Sequence, residues 1–191
     1  MSGSKSTVKN PCKQSGMSKT ISRGVIPTER GSVDGKRPRR NLLMNTSHIV
    51  CVSCTKSKRD EPAQAKNLYD ESHYFRLQRE YAKLTGTSWV ILSAKHGVVY
   101  PDAKLEPYEM YLADQTTEYQ QGWGESVARS LRFHNPRKVT MLAGKAYVDD
   151  VIPALEADGM EVLEPLRGLR HGERLSRLQD LIQSAKHKSL C

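Results

Sequence analysis

The sequence predicts an α/β fold, a three-layer αβα sandwich around a small, mostly parallel sheet of four strands. Three observations predict it. Four short apolar runs alternate with four longer stretches that repeat apolar residues every three to four positions. Each run stops at a polar or glycine-bearing loop. The alternation strand, helix, strand, helix implies crossover connections and a parallel sheet with helices on both faces.

The elements follow in order. His48-Ile49-Val50-Cys51-Val52-Ser53 is the first strand, followed by a polar loop from Cys54 to Asn67. A helix over about 70–84 buries Phe75, Leu77 or Gln78, Tyr81 and Leu84, with Gly86 placed for a left-handed C-cap. Trp89 to Leu92 is the second strand. The stretch from Lys95 to Leu112 reads as a long loop, because Pro101 and Pro107 oppose regular helix, and loops this long inside compact domains usually carry function. A helix over about 116–133 leads to the third strand, Lys138 to Leu142. One helix over about 146–158 leads to the fourth, Glu161 to Leu163. A last helix over about 173–186 turns Leu175, Leu178, Leu181 and Ile182 to one side.

Charge divides the chain. Residues 1–47 hold ten Lys/Arg and two Asp/Glu, whereas residues 48–191 hold twenty and nineteen. The formal charge of +9 therefore belongs almost wholly to the first 47 residues, which are also rich in Ser, Gly, Thr and Pro. Such a segment buries too little apolar surface to offset its ordering entropy, so residues 1–47 are expected to form a disordered basic arm. Residues 48–191 form the single folded domain. Lys36, Arg37, Arg39 and Arg40 are the densest cationic cluster of the arm. They suit the phosphates of DNA, recruited through counterion release, although such an extension also serves solubility. No apolar run approaches the roughly eighteen residues of a membrane span, the start lacks the apolar core of a signal peptide, and the cysteines at 12, 51, 54 and 191 do not resemble a secreted disulfide framework. The expectation is a reduced, cytoplasmic protein with no membrane partner.

If the strands run parallel, their carboxyl ends share one rim, where open α/β sheets bind ligands. That rim receives Ser53, Cys54 and Lys56, then Ser93, Lys95 and His96, then Gly144 and Lys145, then Gly168, Arg170 and His171. Ser93-Ala94-Lys95-His96-Gly97 is the strongest local signal. Histidine donates to a developing anion or moves a proton near neutral pH, and Gly97 permits a tight turn. The plainer reading is a strand-end histidine bonded to a carbonyl. Asp102 and Glu106 are candidates to orient a water, though isolated carboxylates are ordinarily just solvated. Lys56 is a phosphate or carboxylate ligand or a solvated loop residue, and Lys58 is read as surface. Cys51 packs in the core, whereas Cys54 is either a nucleophile or a small residue in a tight loop. Cys51-x-x-Cys54 has no second half to complete a zinc site, so no metal or cofactor is expected. The glycines around Arg170 precede a helix but match no nucleotide-triphosphate motif.

Ile91-Leu92-Ser93-Ala94-Lys95-His96-Gly97-Val98-Val99, then Pro101-Asp102 and Leu105-Glu106-Pro107-Tyr108, resembles the YaaA-type family, whose pattern is a strand, S-x-x-[YH]-G and a later proline-tyrosine pair. It is most similar to small phage and bacterial relatives with S-A-K-H-G. Cys51-x-Ser53-Cys54-x-Lys56, Leu68-Tyr69-x-x-Ser72, Leu142-Ala143-Gly144-x-x-Tyr147 and Pro165-Leu166-x-Gly168-Leu169 agree, so the likeness spans about 48–182. The Cys/Ser-x-x-Lys and Tyr-x-x-Ser pieces also resemble the lysine-transferring domain of archaeosine synthase, itself similar to uracil-DNA glycosylases.

The resemblance implies a glycosylase-like sandwich acting on DNA or nucleobases, with Tyr69, Ser72 and Tyr108 joining the substrate site. The chain lacks the Gly-Gln-Asp-Pro-Tyr and His-Pro-Ser motifs of those glycosylases, so their catalytic residues do not transfer. The expected function is excision of a modified or damaged base, in repair or in defence against phage DNA. In that reading His96 sits at the leaving base, Lys95 and Lys56 on base or phosphate, Asp102 or Glu106 on water, and Tyr108 stacks. The alternatives are a transferase that joins an amine to a base, and a DNA-binding protein without chemistry.

Overall fold

The computed structural model describes residues 48–85 and 88–190, the side chains of 189 and 190 excepted. The basic arm with Lys36, Arg37, Arg39 and Arg40 lies outside the described residues, as does Gly86.

All four expected strands form. They are β1 (His48–Ser53), β3 (Ser88–Ser93), β6 (Lys138–Leu142) and β7 (Glu161–Leu163). β1 pairs in parallel with both β3 and β6, and β6 with β7. A fifth strand, β4 (Gly97–Val99), adds antiparallel to β3, giving the order β4-β3-β1-β6-β7. The expected sheet of four is thus a mostly parallel sheet of five. The extra strand arises because Ala94, Lys95 and His96 form a three-residue hairpin loop closed by Gly97 at φ 67°, the left-handed position that such loops require.

Two further strands, β2 (Ala63–Gln64) and β5 (Lys104–Leu105), pair antiparallel as a small separate ribbon. The segments read as featureless loops, 54–67 and 95–112, are therefore tied to each other. A short helix, α1 (Ala65–Leu68), follows β2 directly.

Helices cover both faces. α2 (His73–Leu84) and α6 (His171–Leu190) pack with Val50 and Val52 on one face. α3 (Thr117–Phe133) and α5 (Ile152–Ala157) pack with Ile49 and Cys51 on the other. The two-residue alternation of β1 thus feeds two separate cores. α2 begins three residues later than its periodicity suggests, because Ser72 caps it by accepting from the Phe75 N–H at 3.3 Å. Thr116 caps α3 in the same way through Tyr119.

The helix expected over 146–158 is two helices, α4 (Lys145–Val148) and α5. Pro153 lacks an N–H and stands in the first turn of α5, a position that starts a helix more readily than it continues one. Among the described residues no helix is long and apolar enough to cross a membrane.

Candidate active site

The parallel pairing brings the carboxyl ends of β1, β3, β6 and β7 to one rim. From β1 the chain goes to β3 on one side and later to β6 on the other, so the order reverses between β1 and β6. Ligands of such sheets sit in the crevice at that reversal. Cys54, just past β1, occupies it, with its Sγ 3.2 Å from the Tyr147 hydroxyl of α4. The thiol is part-buried, unlike Cys51, which burial in the core pushes up to about 12.

Beneath the rim lies a buried network of hydroxyls. Tyr108, only 7% exposed, meets Ser93 Oγ at 2.7 Å and the Tyr69 hydroxyl at 2.9 Å. Ser93 Oγ also accepts from the His96 backbone N–H at 3.0 Å, which fixes the hairpin loop. Burial raises the Tyr69 phenol to about 12, and burial with the neighbouring Cys54 and Tyr69 raises Tyr108 further. Burial also raises Tyr147. These phenols stay protonated, so each hydroxyl can donate one hydrogen bond and accept others.

Cations stand over this network. Lys58 Nζ lies 4.6 Å and Lys95 Nζ 5.6 Å from the centroid of the Tyr108 ring, and the His96 ring meets its edge at 5.2 Å. Lys58, read as surface, thus belongs to the site, while Lys56 lies outward over Tyr111 at 5.7 Å. With its ring occupied on these sides and nearly all of it buried, Tyr108 is the hub of the site rather than a free platform for stacking a base.

His96 and Lys95 border a cleft of about 440 Å³ whose far wall is α3, with Glu118, Tyr119 and Trp123. The wall is fixed to the hairpin, since Tyr119 donates to the Ala94 carbonyl at 3.0 Å and Trp123 Nε1 to the Ser93 carbonyl at 2.8 Å. Desolvation, and then the Lys95 charge, lower the His96 pKa below its usual 6.5, so the imidazole is neutral at neutral pH. Glu118 is held below the ordinary carboxylate range by its own backbone N–H and the Thr116 side chain.

Other expected members fall elsewhere. Asp102 pairs with Lys66 at 2.5 Å beside the β2–β5 ribbon and is 76% exposed, and neither it nor Glu106 lines the His96 cleft. Ser72 is the α2 cap. Ser53 is buried and accepts from Gln78 Nε2 at 3.2 Å, while the same nitrogen also donates to the Leu142 carbonyl. The helix start after Arg170 already has an acceptor, because Glu173 takes the Arg170 N–H at 2.6 Å.

Lys145 and Gly168 border a second cleft, of about 400 Å³, between the end of β6 and the first turns of α6, and Gly144 stands next to its Arg174 wall. Lys145 there pairs with Asp149. Among the described residues no group of three or more His, Cys, Asp or Glu is placed to hold a metal ion.

Sequence reasoning passed over Glu118, Tyr119, Trp123 and Arg174, all supplied by helices. The only signal for the first three is the Tyr119/Trp123 pair, one turn apart at the start of α3.

No curated protein matches the chain. A solved structure described as the crystal structure of AF0587, a protein of unknown function, is similar at 21% identity with a TM-score of 0.47, covering 72% of this chain and 45% of that one. This chain therefore spans less than half of that protein. Residues 49–180 match a family described as a family of unknown function, DUF6884, and the chain belongs to that family.

Proposed function

We propose that this protein acts on a nucleobase in DNA, as a glycosylase-like hydrolase that breaks an N-glycosidic bond and leaves an abasic site. The observation that carries the reading is the neutral His96 imidazole, held by a rigid hairpin at the mouth of a cleft walled by Tyr119 and Trp123. A base must leave its stack to reach such a cleft. As the C1′–N bond breaks, its electron pair goes to the base and positive charge builds on the sugar. His96 donates its ring N–H to the departing base, and the Lys95 ammonium beside it stabilises the same anion. Water adds to C1′ and gives its proton to the Glu118 carboxylate, and the released base anion takes up a proton from solvent, so the sum is one water consumed. Glu118, ionised in the same cleft, replaces Asp102 and Glu106 as the carboxylate that orients that water. Lys36, Arg37, Arg39 and Arg40 supply sequence-independent affinity for the strand.

A second reading is favoured by Cys54. A part-buried thiol against the Tyr147 hydroxyl in the crevice suits addition of the sulfur to an electrophilic carbon of a base substituent, from which an incoming amine displaces it, the thiol regaining its proton as the C–N bond replaces the C–S bond. One experiment separates the two. The protein is incubated with genomic DNAs bearing different modified bases, and released base, abasic sites and added mass are measured. Abasic sites with free base support hydrolysis. A mass gain without them supports transfer. DNA that is bound but unchanged overturns both and leaves recognition alone.

A further inference from the structure

We infer that the cleft between the end of β6 and the first turns of α6 is a phosphate site, anchored by the Arg174 guanidinium and opened by the bare Cα of Gly144. It is separate from the His96 cleft, with which it shares no lining residue. The inference rests on the proposed reading only for taking that phosphate to be part of a nucleic acid.

Arg174 is part-buried in the first turns of α6 and lines the cleft. Its Nε–H donates to the Leu169 carbonyl at 2.8 Å, which aims the guanidinium. No carboxylate pairs with it among the described residues. The other two cations of the lining are both paired, Lys145 with Asp149 and Arg167 with Glu164. The guanidinium also lies beside the Tyr74 phenol, so its neighbours are a carbonyl and a hydroxyl, neither of which cancels its charge, and its fork geometry fits the oxygens of a phosphate.

Gly144 explains how an anion reaches it. Its backbone, at φ −80° and ψ 167°, is ordinary for any residue, so the turn does not require glycine. A Cβ there would lie 3.5 Å from Arg174 Nη1, in plain contact and without a clash. Neither strain nor crowding calls for glycine at 144, and what its lack of a side chain does is leave that side of the guanidinium uncovered. On the opposite wall, Gly168 turns the chain at φ 73° and has nothing within 4 Å of where its side chain would project, so that wall is open too. At about 400 Å³ the cleft is in the range of small-ligand sites and is large enough for a phosphate with its sugar.

The test titrates the full-length, isotopically labelled protein with three probes and follows backbone amide resonances. The probes are inorganic phosphate, thymidine 5′-monophosphate, and a thymidine dinucleotide whose only phosphate is the internal diester. The expected result is a saturable shift of the Gly144, Lys145, Gly168 and Leu169 amides with at least one probe. Arg174→Gln should abolish it, and Arg174→Lys should weaken binding about tenfold. Gly144→Ala, whose backbone suits alanine and whose other resonances should not move, should also abolish it by covering Nη1. A response to the dinucleotide assigns the site to an internal phosphate of a strand. A response to the monoester alone assigns it to a terminal phosphate or free nucleotide. Absence of a saturable shift with all three probes overturns the inference, as does a wild-type response in both Arg174→Gln and Gly144→Ala. Base release by a protein whose cleft ignores every probe would sink the phosphate site and spare the glycosylase reading. A clean titration on a protein that leaves all DNA unchanged would do the reverse.

Discussion

On the β3–β4 flank the rim presents an imidazole, His96, whose pKa is lowered by desolvation and by Lys95. On the β6–β7 flank it presents a guanidinium whose charge does not change, Arg174. The first is held by a hairpin loop, is neutral at neutral pH and faces aromatic walls. The second is aimed by a carbonyl, lacks a carboxylate among the described residues and stands against Gly144. Under the proposed function the difference divides the labour: an imidazole that donates to a departing base suits bond breaking, and a permanent planar cation suits holding. In the sheet order the crevice with Cys54 and Tyr147 lies between them.

The sharpest way to break this division is His96→Ala. Base release should fall on the order of 100-fold or more, the range of a lost hydrogen-bond donor to a developing anion, while DNA affinity in a binding assay changes by less than about twofold. Undiminished release would remove His96 from the chemistry and make the two flanks equivalent.

Next comes the layer beneath the chemical flank. Tyr108→Phe leaves the buried Ser93 and Tyr69 hydroxyls without their shared partner. Urea unfolding should show a loss of about 1–3 kcal/mol, the usual cost of stranding buried polar groups. A stability equal to wild type would mean that the network does not hold the hairpin.

Neutralising Lys36, Arg37, Arg39 and Arg40 together should lower the slope of log affinity against log salt by about three to four, since each phosphate left without its cation accounts for roughly 0.9. Release at saturating DNA should persist. An unchanged slope would place the phosphate-binding cations on the folded domain instead of the arm.

The pH profile is a smaller effect. His96 has a folded pKa below its ordinary 6.5, so between those two values the unfolded chain binds more protons than the folded one. Stability therefore falls as pH drops through that window and levels off beneath it. His48, lowered by burial and then by Lys138, acts in the same direction. His96→Ala should shrink this acid loss and leave the His48 share, and a pH–stability curve identical to wild type would contradict the desolvation of His96. The smallest effect is expected at Lys145→Ala, which removes an exposed pair to Asp149. Thermal unfolding should register less than about 0.5 kcal/mol.

The fold was largely legible. The runs Ile49–Val52, Val90–Leu92 and Val139–Leu142 are apolar at nearly every position because both faces of these strands are buried. The exceptions have local causes. β4 has three residues and only one of them is buried, too short for a period-two signal. The break between α4 and α5 follows from Pro153, a residue that opposes one continuous helix across it. The site was half legible. Ser93, Lys95, His96 and Gly97 announce themselves because they follow a strand directly. Glu118, Trp123 and Arg174 reach the rim from helices, and no local pattern tells which turn of a helix will face it. Lys58 and Asp102 exchanged expected roles for the same reason, since only the pairing of two distant loops decides which charge meets Tyr108.

That pairing has a consequence of its own. The two rungs of the β2–β5 ribbon are extended by the Ala65 N–H to the Ala103 carbonyl, the Lys66 N–H to the Pro101 carbonyl, and the Lys66–Asp102 ion pair. The loop carrying Lys58 and the loop carrying Tyr108 are clasped together at their far ends, as two jaws share one hinge pin. Deuterium should therefore enter the amides of both segments at a common rate, and a ligand that quiets one should quiet the other.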